Sequence, residues 1–118
     1  MGKFAVEQTK SGYHFNLKAV NGQVIATSET YKTLDACLSG IESVRKNSAA
    51  EIEDQTVAGY EELKNPKFQV YKDKAGKFRF RLRARNGEII GVSEPYKSKQ
   101  SCKNGINSVV RNSSSEIK

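Results

Sequence analysis

Four arginines at alternate positions are the residues of this sequence whose types and spacing suggest chemistry. They are Arg79, Arg81, Arg83 and Arg85. In a β-strand, alternate residues share one face and lie about 6.6–6.8 Å apart, so the spacing predicts a row of guanidinium groups. A guanidinium group can make paired hydrogen bonds to phosphate. The pattern therefore predicts a surface that binds nucleic acid or another polyanion.

The same four arginines also fit a second interpretation, in which they form a solvated sheet face. Carboxylates on neighbouring strands, such as Glu88, would then neutralise them. The pattern places no aromatic side chain on the arginine side, where RNA-binding sheets stack bases. The matching strand of the first half carries His14, Asn16 and Lys18 instead, so a site here would be one-sided. A solvated face also predicts that replacing the arginines leaves folding intact.

A second candidate site precedes the helix predicted over 98–112. Lys97 and Lys99 flank Ser98 there, and a helix N-terminus can hold an anion. The alternative is that this segment only caps the helix and packs its loop. Cys37 and Cys102 lie on the apolar stripes of the two predicted helices. They fit small buried hydrophobes better than reactive thiols, which need an exposed, electropositive setting.

The sequence shows no phosphate-binding loop, nucleophile–base set or metal-ligand spacing. It therefore predicts no cofactor, no metal and no catalytic residue. We predict a binding or accessory module that is not an enzyme. The alternative is a small enzyme whose site lies in a groove that the sequence does not reveal. A cleft containing several strongly shifted pKa values would favour that alternative.

The strands and helices that must position these residues occur twice, because the sequence contains two copies of one pattern. The second copy contains FRFRLRARNGEIIGV from Phe78, and the first contains YHFNLKAVNGQVIAT from Tyr13. Alternating apolar residues on both sides of Asn-Gly predict a hairpin. Apolar residues at helical spacing follow each hairpin and predict helices over 33–47 and 98–112. Each helix contains a glycine, Gly40 or Gly105, which we attribute to close packing against another backbone.

Each copy thus reads β-β-β-α-β, and the whole predicts an α+β fold with about eight strands. We expect one domain over 1–118, made of repeat 1 (3–53), a linker (54–67) and repeat 2 (68–118). Tyr60 and Leu63 would pin the linker to the surface. Half the chain would be marginal alone, because a small domain buries too little of its surface. Intact, the chain is expected to be a monomer.

Charge is distributed unevenly along the chain, whose net charge is +7. Residues 1–59 carry six basic and seven acidic side chains, a net −1, and residues 60–118 carry fourteen and six, a net +8. Such asymmetry favours an anionic partner, although it also serves solubility. The sequence has no apolar run long enough to span a membrane, and MGKFAVEQ lacks the features of a secretory signal. We expect a cytoplasmic protein.

An ordered set of motifs resembles the YegP-like family of small bacterial proteins. The second copy carries F-x-V-Y-K-D-x-x-G-x-F-R-F-R-L, N-G-x-I-I, S-E-x-Y-x-S and C-x-x-G-I-x-S-V. The first copy departs from it by Glu7-Gln8-Thr9 in place of Tyr71-Lys72-Asp73. The resemblance implies one continuous, mainly antiparallel sheet with both helices on one face and the last strands exchanged between units. It implies that one-repeat members dimerise, and it carries over no ligand or reaction.

Overall fold

The computed structural model describes residues 2–117, over which the chain forms seven strands and two helices. In chain order, these elements are β1 (Lys3–Thr9), β2 (Gly12–Lys18), β3 (Val24–Thr27), α1 (Leu34–Asn47), β4 (Glu51–Asp54), β5 (Lys67–Lys72), β6 (Phe78–Arg83), β7 (Ile89–Val92) and α2 (Lys99–Asn112). The strands make one sheet in the order β1-β2-β3-β7-β6-β5-β4. The predicted α+β class and both predicted helices are confirmed.

The two repeats meet at the centre of the sheet and exchange their last segments at its edges. β3 pairs antiparallel with β7 through Thr27 and Val92. At one edge, β4 of the first repeat runs parallel to β5 of the second. At the other, Ile117 bridges Phe4 in parallel. The exchange is therefore confirmed. The sheet has seven strands where about eight were expected, because the described part of the last segment makes only this single bridge.

Alternation along the strands gives the sheet one apolar face, and both helices cover it. The largest fully buried side chains of this core are Phe4, Phe15, Leu17, Ile41, Phe68, Val70, Phe80 and Val109. Cys37 and Cys102 are also fully buried within it, which confirms their interpretation as small core side chains. Burial raises the pKa of the Cys102 thiol to about 11 and also raises that of Cys37.

The connectors before the helices have structural roles that repeat in both halves. Ser93 Oγ accepts from the backbone N–H of Phe80, and Ser98 Oγ caps α2 by accepting from the N–H of Ser101. Tyr96 stacks on Phe80, with ring centroids 6.4 Å apart. Equivalent bonds and stacking occur in the first half at Ser28, Thr33 and Tyr31. These are the contacts expected if the segment before each helix caps the helix and packs its loop, which was the alternative to an anion site.

The helix glycines are explained by the same tyrosines. A Cβ atom on Gly40 would lie 2.4 Å from the hydroxyl oxygen of Tyr31, and one on Gly105 would lie 2.4 Å from that of Tyr96. The prediction that these glycines pack against another backbone is therefore wrong. A tyrosine ring fills the space instead, because it lies between the helix and a phenylalanine of the sheet.

The linker runs across the sheet face opposite the helices, at its β4–β5 end. The N–H of Leu63 donates to Glu53 Oε1 at 2.8 Å, and Lys67 Nζ donates to the carbonyl of Leu63 at 2.9 Å. Tyr60 is 43% exposed and does not pin the linker as predicted. The strands also take one residue from each end of the predicted linker, since β4 includes Asp54 and β5 begins at Lys67.

We predict that Gly105→Ala destabilises the protein by about 1–3 kcal/mol, because the added methyl overlaps Tyr96 and Phe80. The direction of the change in unfolding free energy is informative, since Gly→Ala within a helix ordinarily stabilises by about 1 kcal/mol. Urea unfolding of the variant measures the change. Gly91→Ala is the control, because its Cβ would meet only Ala26 Cβ at an ordinary 3.6 Å. A more stable Gly105→Ala variant would refute the tight contact.

We also predict that residues 1–59 and 60–118 do not form stable monomers when expressed separately. The first fragment loses the partner strand of β4, and the second loses the cover over the edge of β5. Each half alone would also bury too little surface. Circular dichroism and sedimentation of each fragment, alone and mixed, provide the measurement. Two folded monomeric fragments would contradict the interlocked design.

Candidate functional site

Three of the four candidate arginines lie together on the sheet face opposite the helices. Arg79, Arg81 and Arg83 alternate along β6 with residues that face the core, and all three are half-buried. Arg85 does not join them, because β6 ends at Arg83 and Arg85 lies exposed in the following turn. The prediction of four arginines on one strand face is therefore wrong for Arg85. A register shift between Leu82 and Arg83 marks where the ladder becomes irregular.

An aromatic side chain lies on this face, contrary to the sequence-based expectation. Tyr71 of β5 stands opposite Arg79 in the strand register. The guanidinium carbon of Arg81 lies 4.5 Å from the centroid of the Tyr71 ring, which is cation–π geometry. We call Arg79, Arg81, Arg83 and Tyr71 the arginine face. The sequence pattern missed Tyr71 because the aromatic residue is on the neighbouring strand.

Hydrogen bonds to neighbouring groups hold two of these arginines, so the expected solvated face, neutralised by carboxylates alone, is wrong for Arg81 and Arg83. Arg81 Nε and Arg83 Nε both donate to the side-chain oxygen of Gln69, each at 2.7 Å. A terminal nitrogen of Arg83 also donates to the carbonyl of Gly87 at 2.8 Å. Arg79 Nε lies 3.6 Å from a carboxylate oxygen of Asp73. Asp73, rather than the expected Glu88, is thus the carboxylate paired with an arginine of this face.

Beside the arginine face lies a buried ion pair that sequence reasoning missed. Lys67 Nζ donates to Glu53 Oε1 at 2.7 Å, and both side chains are nearly inaccessible. Gln69 and Gln55 donate to the other oxygen of Glu53, at 2.8 and 2.9 Å. Burial tends to raise the pKa of Glu53. The four hydrogen bonds from Lys67, Gln69, Gln55 and the Leu63 N–H outweigh this and lower it to about 2.

Lys97 and Lys99 do not belong to the arginine face. They lie at the start of α2, on the helix side of the sheet. Lys99 Nζ is 3.0 Å from a carboxylate oxygen of Asp54, and Lys97 is exposed. The structure therefore separates the six candidate site residues into three places: the arginine face, the exposed turn with Arg85, and the helix start.

Two open grooves of similar construction flank the helices, each between the hairpin turn of one repeat and the helix of the other. Their volumes are about 540 and 370 Å³. Their corresponding lining residues are Asn21, Tyr96 and Gly105 in the first and Asn86, Tyr31 and Gly40 in the second. Burial raises the pKa of both tyrosines. The charged lining residues are Arg111 in the first groove and Glu88 in the second.

Comparison with known proteins identifies the family. The sequence matches a family described as a domain of unknown function (DUF1508), once over residues 9–54 and again over 73–118. The chain belongs to this family. The two matches fall on the two repeats, and the solved relative named below confirms the resemblance to YegP-like proteins. The family description names no reaction or ligand.

Individual relatives agree with this assignment. The UPF0339 protein PA0329 of Pseudomonas aeruginosa is 42% identical over 92% of this chain and 87% of its own. The solution structure of yegP from E. coli, a protein of unknown function, superposes with a TM-score of 0.80 at 35% identity, covering 98% of this chain and 89% of that one. A UPF0339 protein of Treponema denticola is 61% identical over 46 residues, 39% of this chain but 79% of that protein. That relative is therefore about one repeat long.

Neither helix of the described residues is long and apolar enough to cross a membrane.

We predict that the Glu53 carboxylate stabilises the fold above about pH 4.5 and that this contribution is lost as the pH falls towards 2. The sign follows from the lowered pKa: between these values the unfolded chain binds a proton that the folded chain does not. The contribution at neutral pH is about 3 kcal/mol. Urea unfolding of the wild type and Glu53→Gln at several pH values isolates it, because the other carboxylates are common to both. A stability difference that does not change with pH would contradict the prediction.

Proposed function

We propose that this protein is a non-catalytic binding module of the bacterial cytoplasm that binds nucleic acid through the arginine face, weakly and without sequence preference. One observation supports it most. Arg81 and Arg83 share a single acceptor, the side-chain oxygen of Gln69. Two like charges are thereby held close together on an accessible face, where a strand requires neither of them.

The chemistry of the arginine face suits phosphate groups. The hydrogen bond from Arg81 to Gln69 uses its Nε–H, so its terminal nitrogens remain for a ligand. Guanidinium groups bind phosphate through paired hydrogen bonds. Stacking on Tyr71 keeps the Arg81 guanidinium in place from a second direction. A backbone-directed site of this kind contacts phosphates rather than base edges, so it discriminates little between sequences.

The distribution of charge supports the same proposal. The net +8 of residues 60–118 belongs to the half that carries the arginine face, whereas residues 1–59 carry −1. The first repeat has His14, Asn16 and Lys18 at the positions of Arg79, Arg81 and Arg83. His14 there lies 2.9 Å from Glu7. Since the same fold is built with those residues, the arginines are not required to form it.

The alternative of a small enzyme has less support. The two grooves are open, and the raised pKa values in them belong to tyrosines whose burial against phenylalanines accounts for the shift. The strongest lowered pKa, that of Glu53, belongs to a carboxylate that is 2% exposed and fully hydrogen-bonded. We therefore propose no reaction and no cofactor for this chain.

The test is a fluorescence titration with single- and double-stranded oligonucleotides of about 15 nucleotides at about 50 mM salt. Binding that involves three phosphates should give a slope of log K against log salt of roughly −2 to −3. The triple replacement of Arg79, Arg81 and Arg83 by Gln should abolish it. Folding of this variant must be checked, because Gln69 loses two donors, at a cost of about 1–3 kcal/mol.

The matched control removes the same charge elsewhere on the protein, by replacing Lys10, Lys32 and Lys46 with Gln. These lysines are exposed and lie outside the arginine face. The control should retain most of the binding. Absence of binding by the wild type would end the proposal. If both variants lose the same amount of binding, net charge rather than the arginine face accounts for it, and the proposal is refuted.

A further inference from the structure

Gln69 lies between a buried negative charge and two of the arginines. Its side-chain nitrogen donates to Glu53 Oε2 at 2.8 Å, and its side-chain oxygen accepts from Arg81 Nε and Arg83 Nε at 2.7 Å each. All three bonds run through one amide group. A carbonyl oxygen has two lone pairs, so it can accept from both arginines at once. The amide thus connects the buried ion pair to the arginine face.

The orientation of this amide follows from the chemistry of its neighbours. An ionised carboxylate only accepts hydrogen bonds and a guanidinium only donates them. The amide nitrogen must therefore point to Glu53 and the oxygen to the arginines, because the reverse orientation would place acceptor against acceptor and donor against donor. Lys67, Gln55 and the N–H of Leu63 hold the Glu53 carboxylate in turn.

We infer that Glu53 and Gln69 are positioning residues for the arginine face. Glu53 orients the amide of Gln69, and the amide oxygen then fixes Arg81 and Arg83 in the arrangement that meets phosphate. The inference rests on the proposed function, and it adds that the strength of binding depends on residues that do not touch the ligand. Side chains fixed before binding lose less rotamer freedom when the complex forms.

The first repeat lacks this arrangement as a set. Ala5 occupies the position of Gln69, and Asn16 and Lys18 occupy those of Arg81 and Arg83. The residue matching Glu53 is Lys118, which lies outside the described residues. The amide and the arginines that it holds therefore occur together in one repeat and are absent together from the other. This pairing is what a positioning role requires.

The test compares Gln69→Met with Gln55→Met. Both variants remove one hydrogen bond to Glu53, but only Gln69 also contacts the arginines. NMR of the arginine Nε–H groups reports whether Arg81 and Arg83 are held, and titration with the oligonucleotide probe reports affinity. In Gln69→Met, both Nε–H signals should lose their protection from exchange, and binding should weaken roughly three- to tenfold. The salt slope should not change, because no charge is lost.

Gln55→Met should retain protected Nε–H signals and the affinity of the wild type, even if its stability falls as much as that of Gln69→Met. Glu53→Gln should have the same effects as Gln69→Met. The new amide can donate as well as accept, so it no longer fixes the orientation of the Gln69 amide. If that variant does not fold, the Gln69→Met and Gln55→Met pair still decides the question.

The outcomes separate this inference from the proposed function. A wild type that binds no oligonucleotide refutes both, while the NMR signals still report whether Gln69 holds the arginines. A wild type that binds, combined with an unchanged affinity in Gln69→Met, refutes the positioning role alone. Arg81 and Arg83 signals that are unprotected in the wild type, or still protected in Gln69→Met, also refute it.

Discussion

The parallel pairing of β4 with β5 is the contact on which the rest of the second half depends. It closes an edge of β5 that would otherwise present unpaired backbone groups. It also brings Glu53 directly opposite Gln69 in the register. Because β4 belongs to the first repeat in sequence, this pairing joins the halves at one edge of the sheet, in addition to the β3–β7 pairing at the centre. The linker must then cross the open face to reach β5, and in doing so it covers Glu53 and Lys67.

The parts of the fold that sequence reasoning predicted well are those that local pattern determines. Period-two alternation and the Asn-Gly turns define the hairpins, and helical spacing with a Thr33 or Ser98 cap defines the helices to within one residue. Repetition of the pattern predicts that both halves contain the same elements. The exchange of the last strands is not local, and it was anticipated only through the resemblance to a family.

The parts that were predicted wrongly depend on contacts between distant segments. Alternation places Lys67 and Gln69 on the face opposite Phe68 and Val70, but it does not say whether another segment covers that face. The path of the linker decides this, and no local pattern encodes it. The tyrosine over each helix glycine and the aromatic partner of Arg81 lie close in sequence, but each is on a neighbouring element, and the pattern within one element does not show which neighbour it contacts. A polar residue at alternate positions of an inner strand, as at Gln69, is the one signal that a covered polar cluster leaves in the sequence.

The two halves show which side of the sheet determines the fold. On the helix side they are nearly superimposable in chemistry: Phe4 meets Phe15 edge-to-face at 5.8 Å, and Phe68 meets Phe80 at 6.0 Å. On the open side they differ at almost every position. The helix side therefore supplies what both halves need to fold, and the open side is where their chemistry diverges.

A buried ion pair on that open side is a costly way to stabilise a sheet. Desolvating Glu53 and Lys67 opposes folding, and apolar residues of similar volume often serve stability as well or better. The first half has Lys3 and Ala5 at the positions of Lys67 and Gln69 and still forms its strand. What the ion pair supplies, and an apolar pair could not, is a fixed negative charge that gives the Gln69 amide a single orientation. The geometry of Arg81 and Arg83 is therefore a consequence of a charge buried next to them, and this gives the ion pair a role besides its effect on stability.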